Sequence, residues 1–160
     1  MVAPFVPRSV VSRFMHAVLS TDSAVMAALG GSGKIVPDEA IPTNVVLTLA
    51  QTFAGGVEVA KPLKSPIAQV GMYWEITGWA PTYSREANEA LMKAAMAVLI
   101  NSDTTGKTHR WTDSGTGGDG RSWAVLVDFF SEEAVPLDVT TPQPWAPIRH
   151  RYRVTLQPRS

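Results

Sequence analysis

Residues 148–157 alternate almost without a break. Ile148, His150, Tyr152, Val154 and Leu156 fall on one side of an extended chain, and Arg149, Arg151, Arg153 and Thr155 on the other. Successive side chains of a β-strand point to opposite faces, so this segment is a strand with one apolar and one cationic face. The same period of two runs from Ile67 to Trp79, where Val70, Met72, Trp74 and Ile76 oppose Gln69, Tyr73, Glu75 and Thr77. It recurs over 45–53, with Val45, Leu47 and Leu49 on one face and Val46, Thr48 and Ala50 on the other. Ser122 to Phe130 reads as a further strong strand, and Lys34–Val36 and Lys107–Asp113 as shorter ones. Alternation of this kind belongs to antiparallel sheet with one covered face.

Helical spacing appears in three places. From about Ser9, Val10, Phe14, Val18 and Leu19 share a side. Thr21 or Asp22 can cap a second helix carrying Val25, Met26 and Leu29, stopped by Gly30 and Gly31, or the two are one bent helix. After Ser84, the residues Ala87, Leu91, Ala94, Ala95, Val98 and Leu99 make one apolar stripe, whose small alanines allow close approach to a sheet. Connections rich in glycine or proline lie near 54–66, 101–106, 114–121 and 131–147, the last reading as an extended proline-rich arm. The expected fold is therefore one α+β domain over 1–160. It has two layers, with helices packed on a mostly antiparallel sheet of about four strands and with long loops or arms.

The chain lacks cysteine, which removes disulfides, thiolate zinc sites and a cysteine nucleophile, and suits folding in a reducing cytoplasm. Acidic and basic residues balance at 14 each. A protein that grips nucleic acid backbone carries a basic excess, because each phosphate contact needs a cation. Weak net charge also eases self-association. No apolar run approaches the roughly 20 residues that cross a bilayer, and the first residues lack a signal-peptide pattern.

Motifs for chemistry fail on context. Gly115-x-Gly117-x-x-Gly120 has the letters of a dinucleotide fingerprint, but a strand follows it where a helix is required, so it reads as a loop. Gly33-Lys34 lacks the earlier glycine of a phosphate loop, with Ala28 in its place, and the magnesium-holding hydroxyl, with Ile35 in its place. His16, His109 and His150 have no metal-ligand spacing. Asp103, Asp113, Asp119 and Asp128 could each meet a histidine in space, but no nucleophile motif supports a catalytic dyad. No catalytic residue, cofactor site or metal site is expected.

Arg149, Arg151 and Arg153 on one face repel each other unless anions meet them. The carboxylates come either from Glu58, Glu75 or Asp128 on neighbouring strands, or from an acidic patch on a partner subunit. On the second reading, Arg151→Glu weakens docking and spares the fold. Of five tryptophans, Trp74 belongs to the core. Trp111, Trp123 and Trp145 lie near loops, where an exposed aromatic would anchor a protein interface. Arg149, Arg151, Arg153, Trp111 and Trp145 are the candidate interface residues.

The order of these elements resembles the tail terminator proteins of long-tailed bacteriophages. The segments that carry the resemblance are LGGSGKIVPDEAIPTNVVLTLA, IAQVGMYWEITGWAPTYSREANEALMKAAMAVL, WAVLVDFF and RHRYRVTL, spanning about Arg13 to Leu156. The resemblance implies a homo-hexameric ring that caps the tail tube, stops its polymerisation and joins the tail to the head connector. The implied partners are other copies of the chain, the major tail tube protein and the head–tail connector protein. DNA would pass through the ring without specific binding, and the protein would be made in the host cytoplasm and reside at the head-proximal end of the tail. Other readings of the same sequence are a head-completion or connector protein, a small enzyme or ligand-binding domain with loops as lids, and an adaptor that binds peptides along a sheet edge.

Overall fold

The computed structural model describes residues 7–30, 34–36, 47–60, 69–81, 85–100, 107–118, 120–135 and 146–159. Among the described residues, three helices, α1 (Pro7–Thr21), α2 (Ser23–Leu29) and α3 (Arg85–Leu99), accompany seven strands. The strands are β1 (Lys34–Val36), β2 (Thr48–Phe53), β3 (Glu58–Ala60), β4 (Gln69–Trp79), β5 (Lys107–Thr112), β6 (Ser122–Glu133) and β7 (Ile148–Pro158).

All seven strands join one sheet in the order β1-β2-β4-β7-β6-β5, with β3 also on β4. β1 runs parallel to β2 and the other pairings are antiparallel. This corrects the expected two-layer α+β fold on a sheet of about four strands. The sheet is larger, mixed and curled into a half-barrel, and strand outweighs helix. Six of the seven strands are already marked in the sequence, which does not show that they share one sheet, and the seventh, β3, is hidden by a glycine pair. Gly55 and Gly56 take φ of 89° and 70°, a conformation that glycine reaches without strain. Phe53 faces Trp74 while Glu58 faces Gly71, so two extra residues are bulged out and pairing with β4 resumes beyond them. A glycine pair that reads as a loop is thus an interruption within one edge of the sheet. The expected arm 131–147 also begins later, because β6 continues through Glu133. Residues 136–145 of that arm, and Val45 and Val46, lie outside the described residues.

The alternation of β4, β6 and β7 settles which face is covered. Val70, Met72, Trp74 and Ile76 of β4 lie beside Leu156, Val154, Tyr152 and His150 of β7. Val125 and Val127 of β6 continue the same face. These apolar side chains form one buried cluster with Val10, Val11, Phe14, Met15 and Leu19 of α1 and with Leu91, Met92, Ala95 and Leu99 of α3. Asp22 caps α2 by accepting the Val25 amide at 3.0 Å, and Gly30 ends it at φ 73°.

α3 is rotated from its expected orientation: Ala87 is exposed and Asn88 fully buried. The Asn88 amide donates to the carbonyls of Gly78 and Ala146, both at 2.8 Å. One side chain therefore pins α3 to the end of β4 and the approach to β7. The helix can sit this close because residue 78 has no side chain; a methyl there would overlap the Asn88 amide and crowd the Met92 sulfur.

α1 spans the mouth of the half-barrel. On one side Gln51 of β2 donates to the Ser12 carbonyl at 3.0 Å, and Arg8 lies over the Phe53 ring. On the other, Phe14 meets His109 and Trp111 of β5 edge to face, with centroids 5.2 and 5.7 Å apart. β2 and β5 stand near opposite ends of the strand order. One helix touches both only because the sheet curls.

Candidate interface and grooves

Period two places Arg149, Arg151 and Arg153 on the sheet face away from the helices. Facing them in register are Thr77, Glu75 and Tyr73 of β4. Arg151 donates to Glu75 at 2.7 Å and meets Glu133 at 3.1 Å. Arg149 lies 3.5 Å from the other oxygen of Glu75 and donates to Thr77 Oγ1 at 3.1 Å. Arg153 donates to Glu58 at 2.8 Å and stacks on the Tyr73 ring.

The stripe is therefore neutralised within the chain by three carboxylates, Glu58, Glu75 and Glu133. Glu58 and Glu75 are legible in the sequence as counter-ions. Asp128 stands opposite Arg153 in the backbone register, yet the guanidinium reaches Glu58. Glu133 escapes sequence reasoning because a bulge between Phe129 and Ser131 shifts the register there by one.

The electrostatics follow the geometry. The Glu75 hydrogen bond raises the Arg151 pKa, and the Glu58 hydrogen bond raises that of Arg153. Arg149 is lowered, first by burial and then by its neighbour Arg151. Arg151→Glu would set a third carboxylate against Glu75 and Glu133. This substitution is therefore expected to perturb the fold as well as any docking, and does not isolate docking.

Trp111 is half-buried against Phe14 of α1 and is paired across the strands with Trp123. Trp145 lies outside the described residues. The bulge in β6 exposes a different aromatic: Phe130 is 55% exposed and packs on Tyr73, centroids 5.0 Å apart. The doublet Phe129-Phe130 carries this signal, since two adjacent strand residues cannot both face the core. Val57 and Val59, beside the glycine bulge and on β3, are also exposed.

The histidines and aspartates do not form dyads among the described residues. His109 meets the Leu99 carbonyl at 3.0 Å, and His150 meets Glu132 at 3.3 Å. Burial lowers both imidazole pKa values against the opposing pull of those partners. Asp113 is taken by Arg13, at 2.7 and 2.8 Å. Asp103 and Asp119 lie outside the described residues. The glycine motif 115–120 joins β5 to β6: the Asp113 amide donates to the Arg121 carbonyl, and the Gly120 amide returns to the Asp113 carbonyl, each at 2.9 Å. With a strand on either side it has no helix N-terminus to receive a pyrophosphate.

Open grooves among the described residues flank this framework. One, of 480 Å³, runs between α1 and the β5–β6 loop and includes Ser12, His16, Gln51, Trp111 and Thr116. Another, of 460 Å³, lies where β6 ends and α3 begins and includes Glu89, Glu132, Glu133, Pro147 and Ile148. Among the described residues no group of His, Asp or Glu is placed to hold a metal ion, and no helix is long and apolar enough to cross a membrane.

The sequence matches no protein-family model and no curated protein. The fold is similar to that of a chain in a solved structure described as the virion of a native gene transfer agent particle. The TM-score is 0.51 and the identity 14%, over 89% of this chain and 91% of that one. At this identity the likeness is one of fold.

Proposed function

We propose that this chain is a structural component of a phage-like virion, and within it a ring-forming tail terminator that acts by assembly and not by catalysis. The observation that carries the reading is the fold likeness to a virion chain over about nine tenths of both molecules. The similarity of element order to tail terminators, which rests on the sequence, points the same way. Its partners would be further copies of itself, the tail tube protein and the head connector. It would lie at the head-proximal end of the tail.

The mechanism is geometric. A heterologous contact repeated around an axis closes into a ring when the rotation meets itself. A ring face complementary to the last tube ring adds to it. The opposite face, lacking that surface, accepts no further tube subunit, and growth stops.

Electron microscopy of particles made without this chain tests the role. A terminator's loss leaves overlong tails beside separate heads. Loss of a head-completion protein instead leaves tails of normal length beside unjoined capsids, which would replace the terminator with a connector. Particles of normal form and number would sink both.

A further inference from the structure

Two exposed arginines and a carboxylate-lined groove stand towards opposite ends of β6. At the end where β5 finishes, β6 starts and β7 finishes stand Arg110 and Arg159, both exposed. Neither forms an ion pair among the described residues. Asp113, at the same end, is already held by Arg13.

At the other end of β6 lies the 460 Å³ groove, lined by the apolar Ala134, Pro147 and Ile148, the carboxylates of Glu89, Glu132 and Glu133, and the cation Arg85. Glu133 is already met by Arg151 at 3.1 Å. Glu132 is 66% exposed and its partner in the chain is His150. Burial keeps that imidazole below its usual pKa and so neutral near pH 7, leaving the carboxylate's charge uncompensated. Glu89 meets only the solvated Arg85, at 3.3 Å, a surface pair that offsets little.

Arg110 stands opposite Ala124 and Arg159 bonds to Ser122, eight and ten residues along β6 from Glu132, or about 26 and 33 Å at roughly 3.3 Å per residue. Opposite charges that far apart lie well beyond a Debye length and do not satisfy each other within one copy. A second copy placed end to end brings them together. We propose that Arg110 and Arg159 of one copy dock on Glu89 and Glu132 in the groove of the next, forming the head-to-tail contact that repeats around the ring. This rests on the ring reading above and assigns that ring its contact surfaces. Charge complementarity of this kind selects the partner and fixes its orientation.

Charge exchange tests the contact. Variant A carries Glu89→Arg and Glu132→Arg, variant B carries Arg110→Glu and Arg159→Glu, and circular dichroism confirms that each is folded. Light scattering at low salt, with and without tail tube ends, reads the mass. Wild type is expected to assemble, and each variant alone to associate more weakly on the order of a hundred-fold. An equimolar mixture of A and B should assemble again, because each reversed groove then meets a reversed arginine end.

Assembly of A alone or of B alone as good as wild type overturns this contact and leaves the ring reading standing. The contact also falls if B loses only retention of a DNA fragment, which would give the arginines to nucleic acid. Wild type that stays monomeric even on tube ends removes the ring and the contact together. Because the chain has no cysteine, crosslinking gives a second measurement that needs no charge change. Gly115→Cys with Ala134→Cys in one chain should oxidise to a ladder of multimers, while either substitution alone stays monomeric. Dimers from a single-cysteine variant would mean a two-fold contact and overturn the head-to-tail arrangement.

Discussion

Arg13 and Asp113 stand a hundred residues apart and close on each other as a fork, Nε to Oδ1 at 2.8 Å and Nη2 to Oδ2 at 2.7 Å. The Asp113 side chain is only 1% exposed. The pair ties α1 to the end of β5, on the side of the half-barrel away from β2, and it anchors the loop into β6.

Removing the cation should cost more than an ordinary surface pair. Arg13→Ala leaves a buried carboxylate without its partner, a loss of about 3 kcal/mol. Arg13→Lys should recover only part of this, since an ammonium cannot make the two-point contact. Urea unfolding of the three proteins measures both. A loss under about 0.5 kcal/mol for Arg13→Ala, the ordinary range of a surface change, would show that α1 is held without the pair.

Gly78 is expected to resist replacement. A methyl there meets the Asn88 amide and the Met92 sulfur, and forcing α3 away from β4 should cost about 1–3 kcal/mol. Gly115→Ala is the control, since nothing lies within 4 Å of its added carbon. Equal melting temperatures for the two variants would contradict the close approach of α3.

Acid should weaken the fold through the histidines. His109 and His150 have folded pKa values lowered from 6.5, in both cases mainly by burial. The unfolded chain then binds more protons as pH falls below about 6.5, so their stabilising contribution is whole above that pH and is lost on acidification towards the lowered values. Unfolding midpoints between pH 8 and pH 5 should fall accordingly. In His109→Phe with His150→Phe this part of the slope should disappear, and an unchanged slope would assign it to other groups.

Tyr152 carries a hydroxyl that has no hydrogen-bond partner among the described residues and lies in the core beside Phe129 and His150. Burial raises its pKa and keeps the phenol neutral. Tyr152→Phe removes an unsatisfied polar group while keeping the ring, so stability should hold or rise by up to about 1 kcal/mol. A loss above about 1 kcal/mol in thermal unfolding would reveal a partner for the hydroxyl.

Glu75 should matter more than any one arginine it holds. Glu75→Ala leaves Arg149 and Arg151 adjacent on one face, one of them with a side chain only 11% exposed, and the expected cost in urea unfolding is about 3 kcal/mol. Glu75→Gln, which keeps acceptor contacts through one oxygen at most, should fall between. Full stability of Glu75→Ala would mean the stripe tolerates its own repulsion and is free to serve a partner.

Much of this molecule follows from local rules. Alternation in 69–79, 122–130 and 148–157 marks those strands and the face each buries, because side-chain direction along a strand depends only on position. Asp22 and Gly30 mark the ends of α2 through capping chemistry confined to one turn. Glu75 can be named as a counter-ion for the arginines, since alternation already puts it on the polar face of a strand. Glu58 and Asp128 are equally nameable, and only the fold decides that Arg153 reaches Glu58.

The number of strands, their order and the curl cannot be read this way. β3 resumes after a glycine bulge that looks like any glycine loop, and β1 is too short to declare its partner. Pairing of Glu133 with Arg151, of Arg13 with Asp113, and of Asn88 with two distant carbonyls joins residues that chain separation keeps apart until the sheet closes on α1. Local propensity is set by neighbours in sequence, whereas register, curvature and the opposite charge at the two ends of β6 arise only when strands far apart in the chain are laid side by side.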